Sequence, residues 1–311
     1  MAFTRVSIIV PFYNVEQYIG RCLDSIYRQD LSENEYEVIC VDDCSPDNSL
    51  SVVELYAKDH SNLKIVRNQN NRKLGGARNA GLDVAIGDYI WFVDSDDLIE
   101  GNVLKELCSV AEENDLDVLH FNYENYPIKT PLHELQSTGV MTGPEMFFDK
   151  RFIWYHDLVT AWRKLYRRSF LIENHITFAE HIMYEDSDYA IRVFAKAKRV
   201  LHNNIQAYNY NVNPASITRV EYTSNHILYW IDLCKRLLML KAELIKTNAD
   251  LRFQTTINSF VKYEISHVLK TYKKLQGSEK RSTRLFISKS LPYLRGYMSY
   301  RDYLKFILRL I

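Results

Sequence analysis

The residues best equipped for chemistry in this chain are acids that close apolar runs. In "YIWFVDSDD" (89–97), four strongly apolar side chains lead directly into Asp94, Ser95, Asp96 and Asp97. Side chains two apart on an extended backbone point the same way. Asp94 and Asp96 are therefore expected to face one ligand while Ser95 faces the other side. Adjacent carboxylates perturb each other's ionisation unless something positive lies between them. A divalent cation that prefers hard oxygen donors, Mn2+ or Mg2+, answers that need and keeps positions open for substrate phosphates. Asp97, with Glu100 three residues on, instead has the spacing of a helix capping box.

Three further groups invite a chemical reading. Asp42 and Asp43 end "YEVICV" and lead into "CSPDNS", whose residues favour turns. Arg78 lies in "GGARNAGL", where small neighbours suit close approach of a helix to a sheet. Its planar fork suits a phosphate, a base edge or an ion pair with a neighbouring acid. Glu185, Asp186 and Asp188 in "MYEDSDYAIRVF" head a helix, where the dipole stabilises carboxylates whatever their task and keeps them ionised.

The elements that must position these groups alternate. "VSIIVPF", "YEVICV", "NLKIVRN", "YIWFV" and "DVLHFNYE" are short apolar runs of the buried-strand kind. Between them, Asn14 with Gln17 suggests a capped helix whose apolar face is Ile19, Leu23 and Ile26. Ser45 or Asp47 opens a second helix with Val52, Val53, Leu55 and Tyr56 inward. Ala77, Ala80, Leu82, Val84 and Ala85 suit a third, closed by Gly87. This alternation predicts an α/β fold with a mostly parallel sheet, whose ligands bind outside the carboxyl ends of the strands. The acids lie at those ends.

Bulk properties narrow the classes. The chain has 311 residues, 47% of them apolar, enough for one large domain or a domain plus an extension. Its apolar N-terminal run is too short for a secretory signal, and no run approaches a membrane span; a cytoplasmic location follows as an expectation. Five scattered cysteines without CxxC spacing read as reduced thiols. Net charge is zero, yet residues 1–221 hold 22 basic and 33 acidic side chains and residues 222–311 hold 17 and 6. The acidic front argues against nucleic acid as a partner.

"VSIIVPFYNVEQYI", "VICVDDCSPDNS", "GGARNAGL", "YIWFVDSDD" and "MYEDSDYAIRVF", in this order, resemble family 2 glycosyltransferases, inverting enzymes of the GT-A fold. The resemblance covers roughly residues 5–220 and implies a Rossmann-like nucleotide-sugar-binding domain over 1–221, with a basic helical C-terminal region over 222–311. It implies transfer of a hexosyl or N-acetylhexosaminyl group from a nucleotide diphosphate sugar, with UDP favoured, to a hydroxyl of a glycan or lipid-linked acceptor. A non-catalytic nucleotide-sugar-binding or scaffolding protein of the same fold is the alternative. Nucleotide contacts are implied at Pro11, Tyr13, Glu16, Asp43, Arg78, Asp94 and Ser95, and metal ligation at Asp96 and Asp94. Asp186, with Glu185 behind it, is implied as the general base. Ser216, Thr218 and Arg219 are weaker candidates for a loop over the diphosphate. Trp162 suits either an acceptor sugar or the core, and His202 a structural place. Relatives usually carry a glycine soon after the asparagine equivalent to Asn71; here "NRKLGG" stands instead, and Arg72 and Lys73 read either as an extra anionic contact of this loop or as a solvated turn, the turn being preferred.

Beyond residue 221, "ILYWIDLCKRLLMLKAELI" and "INSFVKYEISHVLKTYKKL" show helical apolar spacing. The end, "YMSYRDYLKFILRLI", mixes bulky apolar residues with Arg and Lys. Such a basic amphipathic segment suits peripheral contact with the inner face of a membrane, or packing on the catalytic domain or on a second subunit in a homo-oligomer.

Overall fold

The computed structural model of the chain describes residues 4–126, 135–152, 157–212 and 222–294. Two compact units divide the chain: Met1–His181 with Tyr189–Pro214, and Ile182–Asp188 with Ala215–Ile311.

The first unit is built on one sheet. Its strands are β1 (Val6–Phe12), β2 (Tyr36–Asp42), β3 (Leu63–Arg67), β4 (Tyr89–Phe92), β5 (Leu98–Ile99), β6 (Val118–Tyr126), β7 (Lys164–Arg167) and β8 (Val200–Asn211). They lie in the order β3-β2-β1-β4-β7-β6-β8-β5, so β3 and β5 form the two edges. β1 runs parallel to β2 and β4, and β2 parallel to β3. The expectation of a mostly parallel sheet holds, with antiparallel pairings entering beyond these four strands. β7 is antiparallel to β4 and β6, and β5 to β8, while β6 and β8 are parallel. β5 follows β4 with no helix between them, and β7 lies between β4 and β6 and runs against both.

Every residue of β1 and β2 is buried, as expected of strands covered on both faces. Alternation sorts their side chains. Ile8, Val10 and Phe12 join a core with Ile19, Leu23 and Ile26 of α1 (Ile19–Ile26) and Leu104 and Leu107 of α4 (Leu104–Glu113). Ile9 faces α3 (Lys73–Val84) on the other side. There a Cβ on Gly81 would lie 2.4 Å from Ile9 Cγ2, so only glycine permits this approach.

Helix α2 (Ser49–Asp59) buries Val53 but leaves Leu55 58% exposed, against expectation. Two residues past an inward side chain, the helix has turned by about 200°. Val84, in the last turn of α3, is likewise exposed.

Shorter helices α5 (Gly143–Phe147), α6 (Arg168–Glu173) and α7 (Asp186–Lys196) follow. Under the β6–β8 pair, His120 and His202 are fully buried and meet Nδ1 to Nδ1 at 2.7 Å. Their Nε2 atoms face the carbonyls of Asp157 (2.8 Å) and Leu135 (3.0 Å). His202 thus has the structural place expected of it. Burial opposes protonation of both rings: His120 is pushed well below the usual histidine range and His202 down to about 4.

The second unit contains α8 (Ser224–Lys246), α9 (Leu251–Lys274) and α10 (Gly277–Leu294). The two helical readings of the basic region are realised by α8 and α9, which pack on each other. No helix among the described residues is long and apolar enough to cross a membrane. The amphipathic segment 297–311 lies outside the described residues. All five cysteines are free thiols, and Cys44 is the one that is not buried.

Candidate active site

The loops leaving β1 and β2 are stitched together. The N–H of Val15 donates to Ser49 Oγ (2.8 Å) and that of Glu16 to Asp47 Oδ2 (2.9 Å). In return, the Glu16 carboxylate accepts from the backbone N–H (2.9 Å) and side-chain amide (3.0 Å) of Asn48 at the start of α2. Glu16 is therefore held by its own chain. Asn14 does not cap a helix: its φ of 56° is left-handed, and α1 begins only at Ile19. This sharp turn carries Tyr13 out of the strand, 49% exposed. Pro11 is buried in β1, just past Ile9, the last residue paired with β4, so its missing N–H breaks no bond on that side.

Asp43, 3% exposed, is anchored through one of its oxygens. Its Oδ1 accepts from the Asn68 amide (2.8 Å) and from the Arg72 N–H (2.8 Å). Its other oxygen has no hydrogen-bond partner among the described residues. Arg72 is not a solvated residue: its guanidinium grips Glu180 through Nε (3.1 Å) and Nη2 (2.5 Å). Glu180 also accepts from Asn79 (3.1 Å), tying α3 to the 178–180 segment.

Arg78 projects from the glycine-rich part of α3. It is 1% exposed, lies over the Phe178 ring at 5.1 Å, and donates from Nη2 to Asp94 Oδ1 at 2.8 Å. A Cβ on Gly75, one turn earlier, would sit 2.2 Å from the Ala179 carbonyl. The small residues of "GGARNAGL" therefore admit the helix on two sides, and that approach sets the arginine behind the acids.

The acids at the end of β4 form a turn, not an extended segment: the Asp97 N–H closes on the Asp94 carbonyl at 3.0 Å. Exposure still alternates as expected, with Asp94 and Asp96 half-buried and Ser95 and Asp97 buried. Asp97 does not cap a helix. β5 follows it and α4 starts at Leu104, while its carboxylate accepts from the Tyr208 hydroxyl (2.7 Å) and the Asn211 N–H (2.7 Å). Burial, with the charges of Asp96 and Asp94, pushes the Asp97 carboxyl well above the usual range. This is a strongly anionic site. Among the described residues no three His, Cys, Asp or Glu side chains form a metal cage of their own.

Glu185 and Asp186 belong to the second unit, in the segment Ile182–Asp188. Glu185 is buried and Asp186, the first residue of α7, is half-buried. Tyr184, with φ of 66°, makes the turn that delivers them, and its carbonyl accepts the Ser187 N–H at 3.3 Å. Ser216, Thr218 and Arg219 lie outside the described residues. Trp162, 7% exposed, stacks on Tyr208 with centroids 4.5 Å apart and is a core residue.

Sequence reasoning missed Tyr208, Asn68 and Glu180. Each acts through a partner distant along the chain, and none stands in a motif that would single it out.

A family model described as glycosyl transferase family 2 matches residues 7–174. The chain is 37% identical over 227 residues to the uncharacterized glycosyltransferase EpsJ of Bacillus subtilis, a match covering 70% of this chain and 64% of that one. It is 32% identical over 251 residues to the poly(ribitol-phosphate) beta-N-acetylglucosaminyltransferase TarS of Staphylococcus aureus, covering 79% and 41%. The chain thus spans less than two thirds of either relative. The crystal structure of S. aureus TarS 1-349 in complex with UDP superposes with a TM-score of 0.68 at 25% identity, covering 96% of this chain and 82% of that one.

Proposed function

Since the chain belongs to glycosyl transferase family 2, we propose that it transfers a hexosyl or N-acetylhexosaminyl group from a UDP-sugar to a hydroxyl of a glycan or lipid-linked acceptor, with inversion. The observation that carries this reading is the buried Arg78 paired with Asp94 at the carboxyl end of β4, beside half-buried Asp96. A positive fork behind two outward carboxylates suits a diphosphate that arrives with a cation.

The remaining mouth residues fit the nucleotide. Asp43 has one oxygen committed to Asn68 and Arg72, which fixes the carboxylate and leaves the other to accept the imide N–H of a uracil. Tyr13 offers an exposed ring, and stacking a base on an aromatic contributes roughly 1–3 kcal/mol. UDP in a TarS crystal structure supports uridine. Glu16 acts indirectly, by fixing the loop that presents Tyr13.

Mn2+ or Mg2+ fits the donor set, because the acids at the end of β4 are hard oxygen ligands too few to satisfy the ion alone. Asp96 would hold it, with Asp94 beside it oriented by Arg78. When bound, such an ion supplies Lewis-acid stabilisation of charge developing on the departing diphosphate. Asp186, in the first turn of α7, would take the proton of the acceptor hydroxyl as general base.

The test is release of free nucleoside diphosphate from UDP-, GDP- and dTDP-sugars, with Mn2+ and with a chelator. Metal-dependent release of UDP supports the proposal. UDP binding without turnover of any donor or acceptor would leave a nucleotide-sugar-binding protein instead.

A further inference from the structure

The second unit carries a group of rings that the donor chemistry does not use. Helix α8 contributes His226 and Trp230, and α9 contributes Tyr263 and His267. In each pair the residues are four apart and so share a helix face. The Trp230 and His267 rings are 5.3 Å apart, and Tyr263 lies 4.6 Å from His267. Tyr222 meets Trp230 edge-on at 5.0 Å, and Tyr184 lies parallel to Trp230 at 6.2 Å and 16°. Trp230 is a buried floor at 3% exposure, while Tyr222 and Tyr263 form a rim that is 41% and 53% exposed.

A polar group is stranded among these rings. His226, 6% exposed, accepts the Thr223 N–H on Nδ1 at 3.0 Å, which leaves its proton on Nε2. That Nε2–H is buried and has no acceptor among the described residues. A stranded donor of this kind is costly unless something else supplies the oxygen.

Aromatic faces with one unsatisfied N–H donor complement a sugar ring, which presents an apolar C–H face and hydroxyl oxygens. Tyr184, stacked on Trp230, is joined directly to Glu185 and Asp186. We propose that Tyr184, Tyr222, His226, Trp230, Tyr263 and His267 form a subsite for a sugar ring of the acceptor, with the Tyr222 and Tyr263 faces stacking on it and His226 Nε2 donating to a hydroxyl. This rests on the glycosyltransferase reading, and it gives the helical unit the task of recognising the glycan that receives the new residue.

The test is saturation-transfer NMR on the full chain with glucose tetramer and N-acetylglucosamine tetramer, each with and without UDP, alongside a separate UDP titration. Saturation of the ring protons of at least one tetramer is expected with the wild-type chain. The double variant Tyr222→Ala/Tyr263→Ala should lose at least tenfold in sugar affinity, and Tyr222→Phe/Tyr263→Phe should retain it. Both changed residues lie on the surface, and unchanged thermal melts exclude a folding defect. The proposal is overturned if the wild-type chain binds neither tetramer, or if the alanine variant binds as tightly as the wild type. Failure of UDP to bind would sink the donor reading separately, because the sugar titrations without UDP stand on their own.

Discussion

The hydroxyl of Tyr208 donates to Asp97 Oδ2 at 2.7 Å and accepts the backbone N–H of Asp94 at 3.1 Å. One atom on β8 thus secures both ends of the acid turn. Tyr208→Phe leaves a buried carboxylate oxygen and an N–H without this partner, which should cost about 1–3 kcal/mol of stability in urea melts. Donor turnover should fall further than the loss of folded protein explains. Unchanged stability and turnover would show that the turn holds without this bond.

Arg78 is buried against Phe178 and paired with Asp94. Arg78→Met keeps the bulk and removes the fork, so UDP-sugar affinity should drop at least about tenfold, equivalent to about 1.4 kcal/mol. Arg78→Lys should recover only part of it, because an ammonium cannot present two parallel donors. Calorimetric titration of both variants reads the difference.

Asp186→Asn removes a proton acceptor and leaves the donor residues untouched. Transfer to the acceptor should fall by about 10² to 10⁴ while UDP affinity stays within a few-fold. Equal transfer by the variant and the wild type would remove Asp186 from the base role, and a larger loss in Glu185→Gln would reassign it.

Stability should depend on pH through Glu264, buried in α9, whose carboxyl is pushed up to about 7 by burial. A group that binds its proton more tightly when folded contributes most below its unfolded value of 4.5, and that contribution fades as pH rises through about 7. The stability contributed by Glu264 should therefore decline between these limits, read as the difference between the wild-type and Glu264→Gln curves. Glu264→Gln should flatten the decline and be the more stable protein at pH 8, by an amount on the order of 3 kcal/mol. Parallel melting curves across pH for the two proteins would contradict this.

His120 and His202 act at the acid end. Their proton affinities are depressed on folding, so their contribution is complete above the usual histidine value of 6.5 and fades as pH falls through about 4. Replacing both by Asn should weaken the neutral-pH protein and reduce the slope of its acid denaturation.

Local signals carried much of this architecture. The strands announced themselves because both faces of β1 and β2 are buried, which leaves uninterrupted apolar runs. The acids were visible because charge at the end of such a run has few bland explanations. What remained hidden depends on residues far apart in the chain. Asp97 has the spacing of a cap, yet its partners are Tyr208 and Asn211, and that pairing exists only because β8 enters the sheet beside β5 and β6. Arg72 read as solvated because Glu180 is 108 residues away. The antiparallel insertion of β7 between β4 and β6 has no local signature either, since four residues buried for three of their length look like any short strand.

The margins of the sheet bear on how the molecule behaves in a crowd. β5 offers only two residues to a passing chain, and β3, with five, carries Lys64 and Arg67, the former ion-paired to Glu37 of β2. Stunted, cationic borders are poor templates for a foreign strand. Among the described residues, these two edge strands therefore give copies of the protein little on which to zip together rim to rim.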